Sequence, residues 1–186
     1  MPYIQNATLF LASSLIGFAI YIVLIRFWMQ WVRADFRNEL GNFIIRATNP
    51  IVIPVRRILP PIGTIDTATI VLAYLFCIIK VVAVIQILGL QANVLAYFLW
   101  GFGLLLRSTI YLFIAAIFIS IIASWFATGV HHPVLVVARN ISEPVLAPAR
   151  RLIPSIAGLD LSPIIVILFF NFSLRLLVDP ILPRVI

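Results

Sequence analysis

The chain has 186 residues, of which 63% are hydrophobic and only 10% are charged. A soluble domain carries roughly 25% charged residues, so this composition excludes an ordinary soluble protein and indicates an integral membrane protein. The net charge is +7, and the basic residues lie mainly in short loops beside apolar segments. This placement favours anionic lipid headgroups over nucleic acid as the partner.

The first half of the chain, residues 1–92, contains two apolar segments. A membrane-spanning helix needs about 20 apolar residues, and the pattern predicts spans at about 8–31 and 67–90. Asp66 directly precedes the second span, and Lys80 is the charge within it. We therefore expect this half to form one helical hairpin.

The second half, residues 93–186, repeats this pattern with spans predicted at about 102–127 and 161–181. An apolar stretch at 94–100 precedes the third span, and we expect it to lie at the membrane interface. Gly101 and Gly103 follow it, and they predict either a bend or a close contact between helices.

Arginines are concentrated in the two long loops, residues 32–65 and 128–159, while the connector at 90–101 has none. Cytoplasmic loops carry an excess of Lys and Arg. We therefore expect both loops to be cytoplasmic and both termini to be periplasmic. The predicted fold is an all-α membrane protein with four transmembrane helices, arranged as two parallel two-helix repeats.

A motif with three prolines and an arginine pair occurs twice, 94 positions apart, as PIVIPVRRILP at residues 50–60 and PVLAPARRLIP at residues 144–154. Proline removes a backbone donor and disfavours helix in the residue before it. Each copy is therefore predicted to be a short, proline-broken interfacial or re-entrant segment on the cytoplasmic side. The residues predicted to contact lipid or a partner are Pro50, Pro54, Arg56, Arg57, Pro60, Asp66, Pro144, Pro148, Arg150, Arg151, Pro154 and Asp160.

The roles of the charged residues in this motif stay open from the sequence. The arginines either bind anionic lipid or an acidic partner, or they only hold the loops inside. Asp66 and Asp160 precede apolar helices, where an aspartate caps the free amides of the first turn. Alternatively, these aspartates pair with the motif arginines or form a cation or proton site.

Four charged residues lie toward the predicted outer ends of the spans: Lys80, Arg107, Arg175 and Asp179. Charge inside a membrane is costly and faces protein, water or headgroups. One interpretation is an outer basic cluster or ion path. The other is that the cations extend to the headgroups, while Arg175 and Asp179 pair four residues apart on one helix face.

Residue pairs typical of catalysis are missing from the sequence. No serine, cysteine or histidine has a base partner at a recognisable spacing, and no glycine-rich phosphate loop occurs. His131 and His132 lack further ligands at metal-binding spacing. We therefore predict a non-enzymatic protein with no metal and no cofactor.

With its duplicated P-x-x-x-P-x-R-R-x-x-P motif, followed by an aspartate and a second span, the chain resembles the YggT/YlmG family in its longer, two-repeat proteobacterial form. This resemblance covers nearly the whole chain. It implies a multi-pass protein of the bacterial inner membrane, linked to cell division or osmotic tolerance, and no agreed biochemical activity. The expected function is that of a homo-oligomeric structural or assembly factor, with anionic lipids and other envelope or division proteins as partners. The alternative is an ion channel or transporter that acts in osmotic ion balance.

Overall fold

The computed structural model describes residues 2–126, 132–152 and 160–183, and these ranges are helical apart from short connections and one isolated bridge between Ile62 and Ile65. The predicted all-α class is therefore confirmed for the described part of the chain. The helices are α1 (Pro2–Trp31), α2 (Glu39–Ile58), α3 (Thr67–Ile87), α4 (Val94–Phe126), α5 (Pro133–Leu152) and α6 (Ser162–Ser173), which continues into a π-helical turn (Leu174–Val178).

Three of these helices are long and apolar enough to cross a membrane, over Tyr3–Trp31, Thr67–Ile87 and Val94–Ser124. Large apolar side chains such as Phe10, Phe118 and Phe169 face outward, as lipid-facing residues do. The apolar helix Ser162–Val178 is shorter, so the four-span, two-repeat arrangement stays a prediction. The domain limits at 92 and 93 also stay predictions.

Helices α1 and α3 pack antiparallel. Gln5 Nε2 donates to the carbonyl of Ile87 at 2.6 Å at one end of the pair, and Gln30 lies beside the start of α3 at the other end. Helix α4 runs in the same direction as α1, because two successive contacts follow the same order along both helices. Tyr21 shares a cavity with Ser108. Further along each helix, the rings of Trp28 and Phe113 lie 4.7 Å apart. The first buried core lies where these three helices meet.

The prediction that the prolines break the motif is wrong for Pro50 and Pro54, because both lie inside α2. Neither residue can donate a backbone hydrogen bond to the carbonyl four residues earlier. Burial of one face compensates for this loss: Gly41, Ile44, Thr48 and Val52 follow the spacing of a helix stripe and are buried. The helix ends at Ile58, with Leu59 as its C-cap before Pro60, as expected for a residue that precedes proline.

The second copy behaves in the same way. Helix α5 contains Pro144 and Pro148, so the predicted break is wrong there too. Its limits, Pro133 and Leu152, are those of α2 moved by 94 positions. Pro154 lies outside the described residues. The motif is therefore the C-terminal part of an amphipathic helix that lies beside the long apolar helices.

Helix α4 runs without interruption from Val94 to Phe126, so Gly101 does not end a helix. The interfacial position of residues 94–100 and the bend at Gly101 stay predictions. The alternative reading of the two glycines, a close helix contact, is confirmed. A Cβ placed on Gly101 would come within 2.6 Å of Ile78 Cγ1, and one placed on Gly103 within 3.1 Å of Ile181. The glycines thus allow α3 and the C-terminal segment to approach α4.

Candidate functional site

The first motif forms a partly buried ion pair at the junction of α2 and α3. Arg56 Nη2 donates to Oδ2 of Asp66 and lies 3.3 Å from Oε1 of Gln30 on α1. The Asp66 side chain is 0% exposed and that of Arg56 is 35% exposed. The pair therefore joins the end of the amphipathic helix to the start of an apolar helix.

Asp66 is the N-cap residue of α3, but its side chain makes no capping bond to a backbone amide. Its carboxylate accepts instead from Arg56 and from the Thr69 hydroxyl at 2.5 Å. Burial alone would raise the pKa of Asp66, yet these two hydrogen bonds outweigh it and hold the pKa below its ordinary value. The carboxylate is thus ionised at neutral pH and functions as a structural anion.

The second motif repeats the contact in a more exposed form. Arg150 Nε donates to Oδ2 of Asp160 at 2.9 Å, and its Nη1 donates to Glu143 Oε1 at 2.9 Å. The side chains of Arg150 and Asp160 are each 42% exposed. Asp160 also caps the next helix, since its Oδ1 accepts from the backbone amide of Ser162 at 2.9 Å.

These contacts shift two pKa values in the second copy. The hydrogen bond to Asp160 is the main cause of the raised pKa of Arg150. Burial would raise the pKa of Asp160, but hydrogen bonds from Ser162 and Arg150 lower it overall. Both copies therefore contain an arginine–aspartate pair ten residues apart in sequence, in which the arginine stabilises the charged form of the aspartate.

The two arginines of each motif have different positions. Arg56 and Arg150 pair with aspartate, whereas Arg57 and Arg151 are exposed. Each exposed arginine is followed by an exposed apolar residue, Ile58 at 80% and Leu152 at 82% exposure. An arginine beside an exposed aliphatic side chain on an amphipathic helix is typical of a membrane interface.

A second polar contact joins α1 to α2. Arg26 is only 5% exposed, and its Nη1 donates to Thr48 Oγ1 at 2.5 Å and to Asn49 Oδ1 at 3.0 Å. The corresponding positions in the second half hold Ser120 and Ser142, whose hydroxyl oxygens lie 3.2 Å apart. The same helix junction is thus built from a cation in one half and from two hydroxyls in the other.

Two of the predicted intramembrane charges share a cavity of about 140 Å³ between α1, α3 and α4, which we call the basic cavity. Its polar lining consists of Lys80, Arg107, Tyr21, Ser108 and Tyr111. The ammonium of Lys80 lies close to Gly17: a Cβ there would be 3.5 Å from Nζ. The guanidinium of Arg107 lies 5.9 Å from the ring centroid of Tyr111.

Arg107 also lines a second cavity, of about 560 Å³, together with Arg175, Asp179 and Pro183. We call it the C-terminal cavity. The expected pairing of Arg175 with Asp179 is present, at 3.6 Å between Nη1 and Oδ2. The structure thus brings the four predicted charges into two adjacent cavities that share Arg107, and their role as an ion path stays a prediction.

The sequence interpretation missed several contributors to these sites. Arg26 and Gln30 were counted only as part of the first span, and Tyr21 and Ser108 were not singled out. The internal repeat could have pointed to two of the site residues. Arg26 and Lys80 stand where the second half has the uncharged residues Ser120 and Leu174. His131, one of the two histidines considered as metal ligands, lies outside the described residues. In the described part of the chain, no three His, Cys, Asp or Glu side chains cluster.

Together, these features define a helical membrane protein with two amphipathic helices, each joined to an apolar helix by an arginine–aspartate pair. The CCB3/YggT family profile matches residues 5–88 and 99–181, and the chain belongs to this family. It is 38% identical to an uncharacterized protein in the proC 3' region of Vibrio alginolyticus over 182 residues, covering 95% of this chain and 98% of the relative.

The chain is also 35% identical to the uncharacterized protein YggT of Escherichia coli K12, over 88% of this chain and 85% of that protein. It is 37% identical to the uncharacterized protein PA0392 of Pseudomonas aeruginosa, over 87% of this chain and 83% of the relative. No solved structure matches the chain.

Proposed function

We propose that this protein is a non-enzymatic component of the bacterial cell envelope that acts as an oligomerising structural or assembly factor in the inner membrane. The observation that supports it most directly is the pair of equivalent amphipathic helices, α2 and α5. In this proposal the chain crosses the membrane four times, with both termini periplasmic. Helices α2 and α5 then lie together on the cytoplasmic face.

The arginine–aspartate pairs give these helices a fixed position. Arg56 holds the end of α2 against the start of α3, and Arg150 does the same for α5 and α6. Arg57 and Arg151 are then free to contact anionic headgroups or an acidic partner. A basic surface in a fixed position relative to the membrane suits docking and assembly better than catalysis. The family resemblance links such assembly to division or osmotic tolerance.

Site-specific photo-crosslinking in native membranes tests this function. A photoreactive residue is placed at Ile58 or Leu152, the exposed apolar positions beside the arginines. Phe118, which is 51% exposed on α4, serves as the matched control on the lipid-facing surface. We expect reproducible protein adducts, either a dimer or a partner, from positions 58 and 152 only. Lipid adducts alone at all three positions would contradict the proposal.

The basic cavity favours a second candidate function, passage of ions across the membrane. Its two cations lie in the apolar part of the molecule, and Arg107 connects it to the C-terminal cavity. Liposomes that contain the purified protein test this function. We expect an ion flux that falls when Lys80 is replaced by Met, and an absence of flux for every anion and cation tried would remove this candidate.

A further inference from the structure

We propose that the basic cavity is a binding site for one small anion, such as a halide or a small oxyanion. This inference names the ligand class for the second candidate function, and it rests on that candidate for its biological purpose. Binding itself is a property of the isolated protein. It is therefore measured separately from flux.

The first argument is the charge within the cavity. Among the described residues, no carboxylate oxygen lies within 4.0 Å of the charged atoms of Lys80 or Arg107. The carboxylate in the adjacent cavity, Asp179, is paired with Arg175. An unpaired cation in an apolar environment is costly, and two cations that face one cavity also repel each other. A bound anion offsets both effects.

The second argument is the set of hydrogen-bond donors in the basic cavity and the volume of that cavity. The hydroxyls of Tyr21, Ser108 and Tyr111 line the same cavity as the two cations, and each hydroxyl can donate one hydrogen bond. A volume of about 140 Å³ corresponds to about five water molecules at about 30 Å³ each. This volume admits a halide with some of its water or a small oxyanion, and it excludes a nucleotide.

The third argument comes from the internal repeat. The second half has Tyr111 where the first has Gly17, Leu174 where the first has Lys80, and Ala115 where the first has Tyr21. Both halves have the amphipathic helix and its ion pair, so the fold does not require these polar residues. The combination of a glycine that leaves space, a lysine and a tyrosine therefore forms a feature of the first half alone.

The fourth argument is access. Arg107 lines both cavities, and the C-terminal cavity is the larger, at about 560 Å³. Arg175 at its wall is 86% exposed in its side chain. An anion can thus meet Arg175 first, then Arg107, and finally the ammonium of Lys80. A positively charged side chain is therefore available to the anion at each step from the surface to the basic cavity.

Thermal unfolding of the full-length protein in lipid nanodiscs tests the site. Sodium bromide is titrated against sodium gluconate at constant ionic strength, because gluconate is too large for the cavity. A ligand that binds the folded state raises the Tm in a saturable way. The variants are Lys80→Met and Arg107→Met, and Arg46→Met on the exposed face of α2 is the matched control for loss of one positive charge.

We expect saturable stabilisation of the wild type by bromide, with half-saturation at least tenfold weaker in both cavity variants and unchanged in the control. In gluconate alone, Lys80→Met should be as stable as the wild type or more so, because it removes an unpaired cation. A large loss of Tm in that variant without bromide would mean that Lys80 is structural and would overturn the inference. A non-saturable response of the wild type, or equal weakening by Arg46→Met, would do the same.

Gly17→Leu keeps both cations and fills the cavity, so it should abolish the response to bromide. Crystals of the full chain with bromide provide a readout that needs no variant: the anomalous peak should lie between Lys80 and Arg107. A peak only at surface arginines, which is an adventitious ion, would overturn the site. Bromide binding without flux in liposomes would leave the site intact and remove ion passage.

Discussion

The two arginine–aspartate pairs are equivalent in sequence, yet the structure predicts that they differ strongly in energy. Replacing Arg56 with Ala leaves the carboxylate of Asp66, which is 0% exposed, with only the Thr69 hydroxyl as a partner. Its other oxygen, Oδ1, has no hydrogen-bond partner among the described residues. Removing one partner of a buried pair costs about 3–5 kcal/mol, and the partial exposure of Arg56 places this variant near 3 kcal/mol.

Arg150→Ala is the matched control in the second half. Both of its pairs are with carboxylates whose side chains are more than 40% exposed, and exposed pairs contribute about 0–1 kcal/mol. One kcal/mol corresponds to about 2–4 °C in Tm for a chain of this size. We therefore expect a fall of about 6–12 °C for Arg56→Ala and of at most about 4 °C for Arg150→Ala.

The chain provides its own probe for this measurement. Cys77 is the only cysteine, and it is 0% exposed in the core between α1, α3 and α4. A thiol-reactive fluorogenic dye therefore reports unfolding of this core directly. Equal Tm losses for the two arginine variants would refute the reasoning. So would a double variant, Arg56→Ala with Asp66→Asn, that is no more stable than Arg56→Ala alone.

The same pair predicts a change in pH dependence. In the wild type the pKa of Asp66 lies below its ordinary value of 3.8, so its stabilising effect is complete above that pH and is lost only as the pH falls towards the lowered pKa. Without Arg56, burial raises the pKa of Asp66, and stability is then lost as the pH rises. The Tm of Arg56→Ala should accordingly be higher at pH 5 than at pH 8. Adding Asp66→Asn to this variant should remove the difference.

The remaining predictions concern lipid binding and helix packing. Arg57→Gln with Arg151→Gln should lower the amount of anionic lipid that co-purifies with the protein, with no change in Tm above about 2 °C, as lipid analysis by mass spectrometry can show; unchanged lipid would contradict the interfacial role. Gly101→Ala should cost about 1–3 kcal/mol, because its Cβ would meet Ile78 at 2.6 Å. Gly17→Ala is the matched control, since its Cβ has space and alanine is about 0.5–1 kcal/mol more favourable than glycine within a helix; equal Tm values for these two variants would argue against the close packing of α3 on α4.

Local patterns were sufficient to predict the apolar helices. The hydropathy of the chain located α1 and α3, and Asp66 marked the start of α3 correctly. The pairing of Arg175 with Asp179 followed from their spacing of four residues. These features depend on neighbours in sequence, and the physical rules for them are local.

The amphipathic helices were missed because a local rule was given too much weight. The prolines at 50 and 54 do remove two backbone hydrogen bonds, but the buried stripe through Ile44 and Val52 outweighs that loss. The same stripe was present in the sequence at helical spacing. Weighing the burial of this stripe against the two backbone hydrogen bonds lost at the prolines would have favoured a helix that ends before Pro60.

The basic cavity could not be predicted in full, because it depends on how three helices are rotated against each other. Lys80 and Arg107 were found as charges in apolar segments. Tyr21 and Ser108 are ordinary residues of such segments until the structure places them around one cavity. The choice between a cation that extends to the headgroups and one that faces a cavity is likewise a question of rotation, and the sequence alone cannot answer it.

Differences between the two halves are more informative about function than their shared motif. The paired residues Arg56 with Asp66 and Arg150 with Asp160 occupy equivalent positions and serve the same structural purpose. At Arg26 and Lys80, by contrast, the first half has buried or partly buried cations where the second half has Ser120 and Leu174. The repeated unit therefore accepts a hydroxyl or an aliphatic side chain at these two positions, with the neighbouring residues changed to match. Lys80 of the first half and Arg107 of the second half can thus serve a ligand-binding role between the two halves without loss of the duplicated scaffold.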